Sequence, residues 1–280
     1  MMLRRLPGPR LRPFVATIWA SDEAPDDLAP VATRERVLPT GTMHLVLRLS
    51  ETPLRVFDGP DGAVAHVIGH GVVGGARTSA YVRDLSHPVI SVGAQLHPGA
   101  AELVLGVPAD ELAERHTPLA DLWGRSCDEA VERLRAVGDL GRRLDLFESI
   151  LAARLPRVRG LQPEIAQALA RFAIGGGSGG VGTVVEDSGY SHRRFIALFR
   201  RAVGLTPKVF WRVRRFQRAI ARIGTTPESS LAELALDEGY SDQSHLNREF
   251  RAFAGLTPRQ YRELAPASGN HVPIVPRRRG

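Results

Sequence analysis

The sequence predicts an α+β chain. An N-terminal β-barrel or sandwich-like domain with flanking helices would precede an all-α domain, made of two copies of one helical module joined by a long helix. Three observations carry this. Short apolar runs broken by Gly/Pro turns fill the first 120 or so residues, as in barrels and sandwiches. The stretch from Gly189 to Arg262 says nearly the same thing twice. The net charge of +7 is also uneven: residues 161–280 hold 18 Arg+Lys against 10 Asp+Glu, and the first 160 hold 19 against 20.

In chain order, Met1 to Arg12 carries arginines but no apolar core, so it does not read as a signal peptide. Pro39-Thr40-Gly41-Thr42 is a turn that opens a strand over Met43–Leu49. Leu54–Phe57 and Ala63–Ile68 flank Asp58-Gly59-Pro60-Asp61-Gly62 and read as a hairpin with a long turn. Tyr81–Leu85 and Val89–Leu96 are further strands, and Ala100–Leu105 and Ala109–His116 are short helices. Asp128–Leu155 is helical: Val131, Leu134 and Val137 share one face, and Leu146, Ile150, Leu151 and Leu155 another. The domains divide as 1–125, mainly β; 126–160, helical region and linker; 161–265, the duplicated unit; and 266–280, a basic tail expected to be disordered.

The duplication is explicit. Gly189-Tyr190-Ser191 returns as Gly239-Tyr240-Ser241, 50 residues on, and Gly204-Leu205-Thr206-Pro207 returns as Gly255-Leu256-Thr257-Pro258, 51 on. One residue is therefore inserted at the start of the second copy's second helix. Ser230-Leu231-Ala232-Glu233 has the form of a capping box, Gly239 ends the short helix it opens, and Asp242 can cap the next. Leu246 and Phe250 face inward, Leu256 and Tyr261 extend that core, and Thr257-Pro258 starts a closing helix. Helix, glycine turn, second helix is a helix-turn-helix unit. The first copy is weaker, with Gly180 at the cap and Gly182 costing its short helix about 1 kcal/mol.

With Phe195 inward, Arg193, Ala197 and Arg200 lie about 140–160° away on an ideal helix, with Ile196 on the flank. With Leu246 inward, Ser244, Arg248 and Arg251 take the same outward places, with Asn247 on the flank. Such short polar and cationic faces suit a DNA major groove. Between the copies, Pro207 to about Ile223 reads as one helix of roughly 25 Å. Phe210, Val213, Phe216 and Ile220 form its core stripe; Arg212, Arg214, Arg215 and Arg218 lie off it, expected to be solvated or near phosphate.

The double module resembles the DNA-binding domain of AraC/XylS-type transcriptional regulators, over about Pro163 to Leu264. That resemblance implies that each unit places its second helix in successive major-groove segments on one side of the duplex. Carried over, the base-reading positions fall on Arg193, Ile196 and Ala197, and on Gln243, Ser244 and Arg248, with Asn247 beside them. Ile196 and Ala197 depart from the polar residues usual there; either they meet thymine methyls or that helix mainly positions the protein, so the second helix is expected to carry more specificity. Arg194, Arg200, Arg201, Arg251 and Arg259 are the phosphate candidates. The first half resembles the β-barrel sensing domains joined to such units, through the Leu38-Pro39-Thr40-Gly41 turn and the His97-Pro98-Gly99-Ala100 corner. This implies double-stranded DNA, a small-molecule effector, RNA polymerase and a second copy of the chain as partners. The helices at 128–155 are the dimerisation candidates, although packing within one chain explains their apolar faces as well.

Other classes are weaker. No apolar run reaches the roughly 18 residues of a membrane span, and the single cysteine, Cys127, suits a reducing cytoplasm. His44, His66, His70 and His97 could gather in a barrel, but their spacing matches no metal signature. No nucleophile–base pair and no cofactor motif appears; the run Gly175-Gly176-Gly177-Ser178-Gly179-Gly180 lacks the Gly-Lys ending of a phosphate loop and reads as a flexible connection. A nonspecific architectural DNA binder, or a β-barrel metalloenzyme fused to a DNA-binding domain, remain as alternatives.

Overall fold

The computed structural model describes residues 1–23, 33–58, 64–87, 89–155, 160–174, 180–225 and 230–274. The hairpin turn at 59–63, most of the glycine run, the linker at 156–159 and the last six residues lie outside the described residues.

The N-terminal half is two antiparallel sheets. The first runs β1 (Met2–Arg5), β2 (Val15–Glu23), β9 (Val89–Leu96), β4 (His44–Arg48), β7 (Gly71–Gly74) and β10 (His116–Pro118) in spatial order. The second runs β11 (His271–Pro273), β3 (Arg34–Val37), β8 (Tyr81–Asp84), β5 (Leu54–Asp58) and β6 (Val64–Gly69). Alternation along β4 shows how they pack: Leu45 and Leu47 are fully buried in the main core, and His44, Val46 and Arg48 take the opposite face.

Helices cover the first sheet. α1 (Ala101–Leu105), α2 (Ala109–Leu112) and α3 (Ala120–Trp123) are short. α4 (Arg125–Arg135) buries Cys127, Ala130, Val131 and Leu134, and α5 (Leu140–Arg154) buries Leu144, Phe147 and Leu151 and packs on β2. The apolar stripes proposed for dimerisation are thus largely spent inside the chain, and Leu146, Ile150 and Leu155 are only half-buried. Burial raises the Cys127 thiol to about 11, which makes it a poor nucleophile.

The predicted second short helix stops at Leu112, and His116 instead pairs with Gly74 in β10. The tail requires a larger correction. After the last helix the chain returns to the N-terminal half, where β11 adds to β3 with Val272 fully buried. That strand is invisible to charge or periodicity because its neighbours are some 235 residues away. The four histidines do not converge: His66 and His97 are exposed, and His70 lies beside Arg135.

The C-terminal helices are α6 (Pro163–Ile174), α7 (Gly180–Asp187), α8 (His192–Val203), α9 (Pro207–Thr225), α10 (Leu231–Asp237), α11 (Gln243–Ala254) and α12 (Pro258–Leu264). Phe172, Phe199 and Phe210 cluster at centroid distances of 5.7–6.1 Å in the first unit. Phe216 meets Phe250 at 5.0 Å and Phe253 at 5.1 Å in the second. The joining helix α9 supplies a phenylalanine to each core, and its 19 residues extend about 28 Å.

Candidate nucleic-acid interface

Each second helix is set by its turn. Gly189 (φ 70°) and Gly239 (φ 77°) adopt the left-handed conformation that ends the short helix. In the first unit Ser191 caps α8, accepting from the Arg194 amide. In the second, Asp242 caps α11, accepting from the His245 amide at 2.7 Å, a bond that holds its carboxyl below the usual carboxylate range. The inserted residue therefore moves the cap by one position and leaves the helix that follows in step. Ser230 caps α10 through the Ala232 amide, not the predicted Glu233. The full capping box lies at Thr257, whose partner Gln260 was not recognised in the sequence.

The expected outward faces are exposed. On α8, Arg193, Arg194, Ala197 and Arg200 are exposed and Ile196 half-buried. On α11, Gln243, Ser244, Arg248 and Arg251 are exposed and Asn247 half-buried. Arg194 stacks over Tyr190 at 5.0 Å. Two of the phosphate candidates are otherwise engaged: Arg201 bonds Glu102 of α1 at 2.6 Å, and Arg259 bonds Glu263 one turn along α12 at 2.9 Å. Arg201 lies about 80° round α8 from Arg193 on an ideal helix, on the side that meets the N-terminal half.

Three of the four off-stripe arginines of α9, Arg212, Arg215 and Arg218, are paired with acids of unit two and not free for phosphate. Arg215 is 4% exposed. It bonds the Glu249 carboxylate and the Gly239 carbonyl, both at 2.8 Å, and lies 4.0 Å over the Tyr240 ring. Arg212 takes the other Glu249 oxygen at 2.6 Å, and Arg218 holds Glu238 at 3.0 Å. The linking helix thus grips the turn and the second helix of unit two through buried charge. Sequence spacing could not show this, because an off-stripe arginine looks solvated until its partner is known.

Residues 184–264 match the family model described as a helix-turn-helix domain, and residues 3–118 match a domain of unknown function, DUF6597. Over 81 residues the chain is 37% identical to the F1 operon positive regulatory protein of Yersinia pestis, covering 29% of this chain and 27% of that protein. Over 58 residues it is 47% identical to the HTH-type transcriptional regulator VirS of Mycobacterium tuberculosis, covering 20% and 17%. The C-terminal domain is of the AraC/XylS type. The chain spans only about a quarter of the first of these relatives and a sixth of the second. A solved structure of ToxT from Vibrio cholerae aligns over 95% of this chain and 99% of its own, at 9% identity and a TM-score of 0.46.

Among the described residues, no helix is long and apolar enough to cross a membrane, and no group of His, Cys, Asp or Glu is arranged to hold a metal.

Proposed function

We propose that the protein is a cytoplasmic, sequence-specific transcriptional regulator. It inserts α8 and α11 into adjacent major-groove segments of double-stranded DNA, modulated by an effector bound in the N-terminal domain. The observation that carries this is the pair of exposed helix faces, matched position for position and joined by one continuous helix of about 28 Å. Successive grooves lie about 34 Å apart, so two faces spaced this way can reach both.

Arg193, Gln243, Ser244 and Arg248 are the hydrogen-bonding readers, with Ile196 and Ala197 against thymine methyls and Asn247 at the edge. Arg194, Arg200 and Arg251 contact phosphate; Arg201 and Arg259 join them only by leaving Glu102 and Glu263. RNA polymerase and a second copy of the chain are the protein partners that fit a regulator. Binding-site selection with the full chain tests the reading. A bipartite motif is expected, and enrichment without any motif would favour an architectural DNA binder instead.

A further inference from the structure

Three arginines are buried among the described residues, and two of them have both an acid and a backbone carbonyl as partners. Arg143 holds Asp22 at 2.6 Å and the Val137 carbonyl twice, and Arg215 holds Glu249 and Gly239. Arg48 is the exception. It is 5% exposed, its buried Nε, like that of Arg215, has no hydrogen-bond partner, and no carboxylate or carbonyl pairs with its guanidinium among the described residues. A buried guanidinium left like this is among the costlier arrangements a fold can carry.

Its surroundings add to the positive charge. Arg48 ends β4 on the face turned toward the second sheet, where Arg83 repels it. The Arg83 guanidinium is itself satisfied by Glu35. Asp84 attracts Arg48, but one of its oxygens already accepts from the amide and hydroxyl of Ser86, at 2.9 and 2.5 Å. Arg48 opens onto a small cleft lined by Thr52, Pro53, Arg55, Asp84 and His87, with about 10 Å³ of internal space. That is room for about one oxygen atom. Arg55 and His87 are exposed at the rim.

We propose that this cleft is an oxyanion-binding site. Arg48 is the anchor at its floor, the Thr52 hydroxyl is a second donor, and Arg55 and His87 are cationic or donor groups at its mouth. A guanidinium fork matches the paired oxygens of a carboxylate or a phosphate. The internal space takes one oxygen of such a group, so the rest of the head group and the body of any larger ligand stay over the rim, beside Arg55 and His87. The assignment goes beyond the DNA-binding reading and does not depend on it, because its test involves no DNA.

The test is thermal melting of the full chain in sodium phosphate, sodium acetate or sodium chloride at matched ionic strength, with titration calorimetry of the first two. Phosphate or acetate is expected to raise the melting temperature saturably above chloride, and a response to only one of them names the head group. Arg48→Met should remove that response and melt higher than the wild type in chloride, because a buried uncompensated charge has been replaced by an apolar side chain. Arg48→Lys keeps the charge without the fork and should bind about tenfold more weakly; it also serves if the methionine variant fails to fold. Equal responses of wild type and Arg48→Met, or no response above chloride for either anion, would overturn the site.

Discussion

In the second helix-turn-helix unit, Glu249 of α11 is buried between Arg212 and Arg215. Fifty-one positions earlier, at the same place on α8, the first unit has Leu198, which is half-buried. Among its described residues the first unit has no such buried charged grip, only the exposed pair of Arg171 with Asp187, and it is also braced from outside. Its α8 packs on α2 of the N-terminal half, Arg201 pairs with Glu102, and Gly204 sits against Met43 and Ala109. Both units touch the N-terminal half, in unit two through the Ala80 amide donating to the Phe253 carbonyl at 2.8 Å, and both pack on α9, but unit two has the buried ion pairs in addition. A helix held by buried ion pairs as well as by a neighbouring domain is expected to resist reorientation more than one that relies on the domain and an apolar core.

Breaking the internal grip should have the largest effect. Glu249→Ala leaves Arg215 buried and unpaired, and is predicted to cost about 3–5 kcal/mol, read by chemical denaturation. Leu198→Ala, its counterpart on a half-buried surface, should cost only about 1 kcal/mol. Equal losses would mean that the charge network contributes nothing particular to unit two.

The two tetrad glycines sharpen the same contrast. Both have positive φ, 90° at Gly204 and 66° at Gly255. A Cβ at Gly204 would meet Met43 at 3.0 Å and the Ala109 carbonyl at 3.1 Å, whereas at Gly255 it would meet only Arg36, at 3.6 Å. Gly255→Ala should therefore cost about 1 kcal/mol for the backbone alone. Gly204→Ala should cost about 2–3 kcal/mol by adding crowding between the domains. The difference between the two melting curves is the measurement.

On DNA, Arg248→Ala is expected to relax preference at one or two base pairs by about 1–3 kcal/mol. Arg193→Ala should do less, because Ile196 and Ala197 beside it read only methyls; competition binding with mutated sites compares the two. Smallest is Glu102→Gln. The ion pair with Arg201 is half-exposed, with side-chain exposures of 42% and 55%, so stability should barely change, as read by thermal melting. Freed from it, Arg201 should steepen the salt dependence of DNA binding by about one counterion. An unchanged slope would leave Arg201 with the N-terminal half alone.

The parts of this molecule that were legible from sequence obey local rules. Gly189, Gly239, Asp242 and Thr257-Pro258 mark helix ends through backbone chemistry that needs no distant partner, and the core stripe of α9 follows from periodicity. Strand β9 was equally plain, as eight residues bounded by turns. What stayed hidden was long-range. Strands β1, β3 and β11 are three or four residues long, too short for an alternating pattern to stand out, and β11 pairs with a segment at the other end of the chain. The roles of Arg212, Arg215 and Arg218 depend on Glu249 and Glu238, which the duplication could not reveal because the first unit carries no acid at the position of Glu249. The outward positions expected on α8 and α11 from periodicity, Arg193, Ala197 and Arg200 and Ser244, Arg248 and Arg251, are exposed, with the flanking Ile196 and Asn247 half-buried.

The most direct test of paired insertion is a methylation-protection footprint of the full chain on its selected site, repeated with Arg193→Ala and Arg248→Ala. Two protected major-groove segments about one helical turn apart on the same side of the duplex are expected, each variant fading one of them. A single protected segment, or loss of both from either substitution, would contradict it.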